Sequence, residues 1–261
     1  MKIGMPALVE LNTIEDNIVL CKNLEFDFIE LNMNFPYNMI NIIKPSFLQN
    51  LSINNNIEFT MHMPDEADIG SFYEDIRNGY LKLFIDTIRW AQKSNIRILN
   101  MHIVKGACMT LPDRKVYINE KYSDTYMHNF LESMKIISEE AKKNNVIICI
   151  ENSSNFGLNY VQELLGKSLL LDNIYLTWDV GHDYISNYSD KKVLFKFKEK
   201  IRHMHLHDAS KKGDHLVLND GELDIKELLN FANTYNLSTL IEVKSMQALI
   251  KSKEQLYKHL I

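Results

Sequence analysis

The sequence predicts a (β/α)8 barrel, and three observations carry that expectation. Short apolar runs alternate with amphipathic stretches along the whole of the 261 residues, with no Gly/Ser/Pro-rich linker between them. Seven successive runs of strand type close on a side chain able to bind a metal or move a proton: Glu30, His62, His102, Glu151, Asp179, His205 and Glu242. A parallel barrel brings every such C-terminal strand end to one face, which is where its chemistry sits. The competing architecture, a doubly wound open sheet, usually carries a glycine-rich first turn, and the first connection here holds only Gly4.

With 46% hydrophobic and 24% charged residues the chain can bury one large core, and residues 1–261 are read as a single domain. A net charge of -5 offers no global attraction for nucleic acid or an anionic membrane surface, so the expected partner is a small, neutral molecule. Association with further copies of the chain is left open. Cys21, Cys108 and Cys149 are odd in number and have no zinc-like spacing, which suits buried thiols of a reducing compartment. Residues 1–9 lack a basic leader and a long apolar core, and no run approaches bilayer length. The expectation is a cytoplasmic protein without a membrane partner.

In chain order, a first strand is predicted over residues 2–5, and Asn12-Thr13 cap a helix to about Asn23 with Ile14, Ile18 and Cys21 on one face. The run FDFIEL follows and ends near Glu30, a residue placed either to bond a neighbouring loop or to touch substrate. Pro45 opens a short helix that the Asn54-Asn55-Asn56 cluster ends. A strand over 58–61 delivers His62, and another over 97–101 delivers His102. Between them a helix over 71–94 has Phe72, Ile76, Leu83, Ile88 and Trp90 as its apolar positions. A helix over 123–143 repeats Tyr126, Phe130, Met134 and Ile137 at three to four residues, a core stripe.

Residues 146–150, VIICI, form a continuous apolar run, as a strand buried on both faces requires, and end in Glu151. A glutamate at the tip of such a run must be paired, protonated or metal-bound. The stretch LTWDVGHDY, residues 176–184, then sets Asp179 and His182 three residues apart across Gly181, so both can turn to one point above the strand end. A lysine-rich helix over 189–198 reads as a solvated outer face. In RHMHLHD, alternation puts His203, His205 and His207 on one side. His205 is the expected ligand, with His207 and Asp208 as its supports or as substrate contacts. Asp224 caps a helix to about Tyr235, and the last strand, 239–241, ends in Glu242 with Lys244 two residues on.

The order Glu151, Asp179-Val-Gly-His182, His205-Leu-His-Asp208 and Glu242 resembles the xylose isomerase-like barrel superfamily, which holds sugar isomerases, ketose epimerases, inosose-processing enzymes and the endonuclease IV family. The resemblance covers nearly the whole chain. It implies that Glu151, Asp179, His205 and Glu242 hold one divalent cation and that Glu151 and Glu242 double as the acid/base pair. The endonuclease IV branch adds zinc-binding histidines at the positions of His62, His102, His182 and His215. That branch also has an aspartate two residues before the last of these; here Gly213 stands there and Asp214 is displaced by one.

Three carboxylates and an imidazole suit Mn²⁺, Mg²⁺, Co²⁺ or Zn²⁺ and leave room for two substrate oxygens. Proton transfer between adjacent carbons of a hydroxy-ketone through an enediolate needs such a Lewis acid and two bases. The expected activity is therefore a metal-dependent isomerase or epimerase of a small sugar or polyol ketone, with His182 assisting catalysis. The alternative is a zinc phosphodiesterase acting at abasic sites in DNA. Against it stands the loop after the third strand, whose Asp65, Glu66 and Asp68 would face a phosphate backbone.

Overall fold

Eight parallel strands close into a barrel: β1 (Lys2–Pro6), β2 (Phe28–Asn32), β3 (Glu58–His62), β4 (Ile98–His102), β5 (Ile147–Glu151), β6 (Ile174–Asp179), β7 (Ile201–Leu206) and β8 (Ser238–Ile241). The structure is a computed structural model that describes residues 1–260. Each strand pairs with its sequence neighbours, and β1 pairs with both β2 and β8, so the sheet has no free edge. The apolar runs suit this because both faces are covered. Ile148, Cys149 and Ile150 of β5, for example, have no exposed surface.

The helices that cover the barrel are α1 (Ile14–Asn23), α2 (Pro45–Asn55), α3 (Glu74–Lys93), α4 (Ser123–Lys143), α5 (Asn159–Ser168), α6 (Val180–Ile185), α7 (Ser189–Leu194), α8 (Ile225–Thr234) and α9 (Met246–Leu260). Local chemistry sets their ends. The Thr13 hydroxyl accepts the Asp16 N–H at 3.1 Å, Asp224 accepts that of Glu227 at 2.9 Å, and Asn56 ends α2 in the left-handed region at φ 54°. The stripe Tyr126, Phe130, Met134 and Ile137 of α4 is buried as expected. No helix among the described residues is long and apolar enough to cross a membrane.

Two helices depart from the sequence pattern. The helix expected from Ser71 starts at Glu74, because the Ser71 carbonyl is taken by Arg77 Nη1 at 2.7 Å and Asn129 Nδ2 at 3.3 Å. Phe72 precedes the helix and Ile76 lies on its outer face, both exposed, and α3 buries Phe84, Thr87, Ile88, Trp90 and Ala91 instead. The lysine-rich helix stops at Leu194 and gives way to a 3₁₀ segment, Phe195–Lys200, with Phe197 outside helical geometry. There the Phe195 ring packs on Trp178 at 5.4 Å and Phe231 at 5.5 Å, which fixes the chain against the barrel.

Two small hairpins rise from the C-terminal face. One pairs Cys108–Thr110 with Lys115–Tyr117, and the other pairs Asp208–Ser210 with Gly213–Leu216. The second carries Asp214 and His215 back over the end of the barrel.

Candidate metal centre

Barrel closure brings the strand ends into one cluster. Glu151 is the last residue of β5, Asp179 the last of β6, His205 lies in β7 and Glu242 follows β8. Parallel register sets Asp179 beside His205, and Leu240 beside His205 on the other flank. The four side chains each offer a ligand atom within 4.8 Å of the others. His205 Nδ1 lies 3.2 Å from Glu151 Oε1 and 3.1 Å from Glu242 Oε2.

These groups fit a cation. Although the site is buried, His205 Nδ1, Glu242 Oε2, His102 Nε2 and His215 Nε2 lack a hydrogen-bond partner of good geometry, the pattern expected of donors aimed at a shared ion. Burial is the largest influence on Glu151 and Glu242 and raises both carboxyls, yet His205 together with His102 at Glu151 and His215 at Glu242 outweighs it and holds both well below their ordinary value. Burial lowers His205 in turn, while Glu151, Glu242 and Glu30 together raise it well above the usual histidine range.

Two further donor groups flank this set. His62 Nε2 and His102 Nε2 each stand 3.3 Å from a Glu151 oxygen, and Asp65 lies over both rings at 3.7 and 3.8 Å. His62 Nδ1 donates to the Met63 carbonyl at 2.6 Å, which leaves Nε2 free as the ligating nitrogen. On the opposite flank His182, Asp214 and His215 present ligand atoms within 4.8 Å of one another. The one-residue displacement of the aspartate does not remove it from this group. His215 adopts the left-handed region at φ 54°, and Asp214 Oδ1 meets His215 Nδ1 at 2.9 Å while Oδ2 lies 3.9 Å from His182 Nε2.

The remaining expected site residues fall into place around the cluster. Glu30 sits beneath it in the lumen, buried, with Oε1 3.0 Å from His205 Nε2 and Oε2 accepting from Thr60 at 2.9 Å and His203 at 3.2 Å. The His205 contact is an ion pair bent away from a linear hydrogen bond, since that nitrogen lacks a well-aligned acceptor. Lys244 Nζ bonds Glu242 Oε1 at 2.6 Å. His207 donates to Asp179. Asp208 stands outside the donor set: its oxygens accept the backbone N–H groups of Ala209, Gly221 and Leu223 at 2.8 to 3.1 Å and so build the loop. Asp68 also turns away from the mouth, accepting from Gly70 N and the Tyr126 hydroxyl, so only Asp65 and Glu66 of that loop face solvent.

A layer of polar side chains below the cluster went unread in the sequence. Asn100 donates to Glu151 and accepts from Thr177 Oγ1 at 2.6 Å, and Asn152 spans the Asp179 backbone at 2.8 and 2.9 Å. A period of two points to it. Counting two residues back from each strand-end residue gives Phe28, Thr60, Asn100, Cys149, Thr177, His203 and Leu240, all buried in the lumen.

Gly181 is required by the same packing. A Cβ there would penetrate the His207 ring, and both belong to tightly held backbone. Gly181→Ala is expected to destabilise the protein by about 1–3 kcal/mol and to weaken cation binding through Asp179; thermal melts with and without added metal check both.

Comparison with known proteins fits this architecture. The family described as xylose isomerase-like TIM barrel matches residues 18–260. Inosose dehydratase of Yersinia enterocolitica is 23% identical over 145 residues, 47% of this chain and 47% of that protein. An uncharacterised protein of Methanocaldococcus jannaschii is 26% identical over 151 residues, 54% of this chain and 65% of its own length. The chain thus spans about half to just under two thirds of the length of these curated relatives. Among solved structures, a D-tagatose 3-epimerase-like protein superposes with a TM-score of 0.81 at 22% identity, over 100% of this chain and 97% of that one. The 3-keto-D-glucoside 4-epimerase of E. coli gives 0.79 at 15% identity, over 100% and 99%. The IOLI protein, whose crystal structure holds a zinc atom, gives 0.73 at 13%, over 100% and 95%. The matched stretch takes in all seven strand-end donors, and the chain belongs to the family of xylose isomerase-like TIM barrels.

Proposed function

We propose that the protein is a divalent-metal-dependent isomerase or epimerase that moves a proton between adjacent carbons of a small sugar or polyol ketone. The observation that carries this reading is the pair Glu151 and Glu242, two carboxylates from different strands that meet at one nitrogen of His205. A cation held by Glu151, Asp179, His205 and Glu242 supplies Lewis-acid polarisation of a carbonyl oxygen. The donor set suits Mn²⁺, Mg²⁺, Co²⁺ or Zn²⁺. Glu151 and Glu242 are ionised at neutral pH, the form that accepts a proton from carbon and returns it. His182, at the rim, is placed to bond a substrate oxygen.

Beside the cluster lies a cavity of about 350 Å³ lined by Leu8, Asn32, Phe35, His62, Glu242 and Lys244 among others, within the roughly 300–1,000 Å³ of small-molecule sites. Its lysine already bonds Glu242, which favours hydroxyl-rich over phosphorylated substrates. The names of the inosose dehydratase and of the solved epimerases support the substrate class. Of the three thiols expected to be buried, Cys21 and Cys149 are, which suits the reducing cytoplasm assigned by this reading, whereas Cys108 is exposed because it lies on a hairpin that stands off the barrel.

The flanking groups favour a second reading, a cluster of zinc ions that activates water against a phosphodiester at an abasic site. The exposed Asp65 and Glu66 oppose a nucleic-acid backbone there. Metal analysis of protein purified without chelator separates the two. One equivalent and no incision of an abasic duplex at low salt are expected; two or three zinc ions with incision lost in His102→Ala would overturn the isomerase assignment.

A further inference from the structure

Like His203 in the lumen below the cluster, which meets Ser238 Oγ at 2.6 Å and Glu30 at 3.2 Å, His207 has both ring nitrogens committed to protein partners. Its Nδ1 receives the backbone N–H of His215 at 2.8 Å, and its Nε2 lies 3.1 Å from both oxygens of Asp179. Two N–H groups cannot face each other at 2.8 Å, so Nδ1 carries no proton and the ring proton sits on Nε2, donated to Asp179. The longer Nδ1 contact to the Asp208 carbonyl, 3.3 Å, is the weaker claim on that nitrogen. The ring is fully buried, stacked on the His215 ring at 4.1 Å, and Gly181 leaves the space it occupies. Packing therefore holds the ring in this orientation, with Nε2 turned to Asp179 even though one ring nitrogen lies within 4.8 Å of ligand atoms of His215 and Glu242.

We propose that His207 is a positioning residue that couples Asp179 to the hairpin formed by Asp208–Ser210 and Gly213–Leu216, so that cation binding in the barrel and ordering of the hairpin over it are a single event. The inference rests on the metal reading above. Asp179 Oδ1 is also held by the His182 N–H at 2.7 Å, and His207 completes the clamp that fixes the carboxylate plane. The same ring anchors the hairpin where its backbone is most constrained, at the left-handed His215. Coupling of this kind is reciprocal: the cation tightens the hairpin, and the hairpin tightens the cation.

The test uses the full chain in an Asp214→Ala/His215→Ala background, which removes direct ligation from the hairpin and keeps the backbone N–H that His207 accepts. Cobalt affinity is measured against a competing chelator, and amide exchange is followed across residues 208–216. Cobalt is expected to slow that exchange, and adding His207→Phe to abolish the slowing and weaken affinity about 10- to 100-fold. His207→Gln, which can both donate and accept, restores part of each. Equal affinity, or undiminished protection with Phe at that position, overturns the inference. If the Phe variant does not fold, ¹⁵N-histidine spectra of zinc-loaded wild type decide: a proton on Nε2 of His207 is expected, and a proton on Nδ1 overturns it. Wild type that binds no metal would instead sink the functional reading beneath.

Discussion

Glu151→Gln and Glu242→Gln are each expected, if the protein is the proposed isomerase or epimerase, to lower kcat by about 10²–10⁴-fold on its substrate, with circular dichroism unchanged. An amide keeps the outline of the carboxylate but cannot accept a proton from carbon. At Glu151 the loss goes further. Its two oxygens face His62, His102 and His205 and take a bond from Asn100, so no rotation of an amide presents an acceptor to every partner. Glu242 bonds Lys244 and faces His205 and His215, a less crowded setting in which the metal should be retained more fully. Turnover and metal content of each variant, measured side by side, check this. Activity within tenfold of wild type in either one removes that residue from the acid/base pair.

Cation affinity is expected to rise about tenfold per pH unit for each proton displaced, or about 100-fold between pH 6 and 8 for a single proton. The sign follows from His205, which the surrounding carboxylates raise well above the ordinary histidine value against the pull of burial. Its imidazole is protonated at neutral pH without metal, and a cation can bind Nδ1 only by expelling that proton. His62, lowered by burial but raised further by Glu151 to about 9, adds a second proton if its flank also binds.

Stability of the chelated protein follows the same groups. The raised His205 stabilises fully below the unfolded histidine value of about 6.5 and ceases to as pH climbs through its folded value. The depressed Glu151 and Glu242 stabilise above about 4.3 and cease to on acidification. Chelated protein should therefore melt highest between about pH 4.5 and 6.5, and added metal should raise Tm most above that window. Titrations at three pH values against a competing chelator, with melts of the chelated form, provide the check; a pH-independent affinity would show that His205 does not release its proton.

The strand ends were legible because parallel closure converts a list of residues at run ends into neighbours, and apolar continuity marks where those runs stop. All seven strand-end residues, Glu30 to Glu242, could be gathered in this way without coordinates, whereas singling out Glu151, Asp179, His205 and Glu242 as one ligand set rested on the family resemblance. What lay beyond reach depended on backbone detail. His215 enters the left-handed region, which brings the displaced Asp214 back to His182, and nothing in the dipeptide signals that rotation. The segment before α3 contained enough apolar residues to look helical, yet side-chain bonds to the Ser71 carbonyl hold it as a turn. Asn100 and Thr177 were overlooked for a different reason. Polar residues inside an apolar run read as breaks in the pattern, when counting by two from the strand ends assigns them to the lumen.

The Glu30–His203 contact joins residues 173 positions apart and lies in a lumen that also encloses Glu151 and Asp179. A ribosome has delivered β2 to β6 before it reaches Ile201, so a nascent chain of that length already holds His62 and His102 beside Glu151 but neither His203 nor His205, the two imidazoles that face Glu30. Burying Glu30 without those imidazoles is unfavourable. Chains ending before Ile201 are therefore expected to leave the Glu30 carboxylate unpaired, besides lacking the two strands that close the sheet.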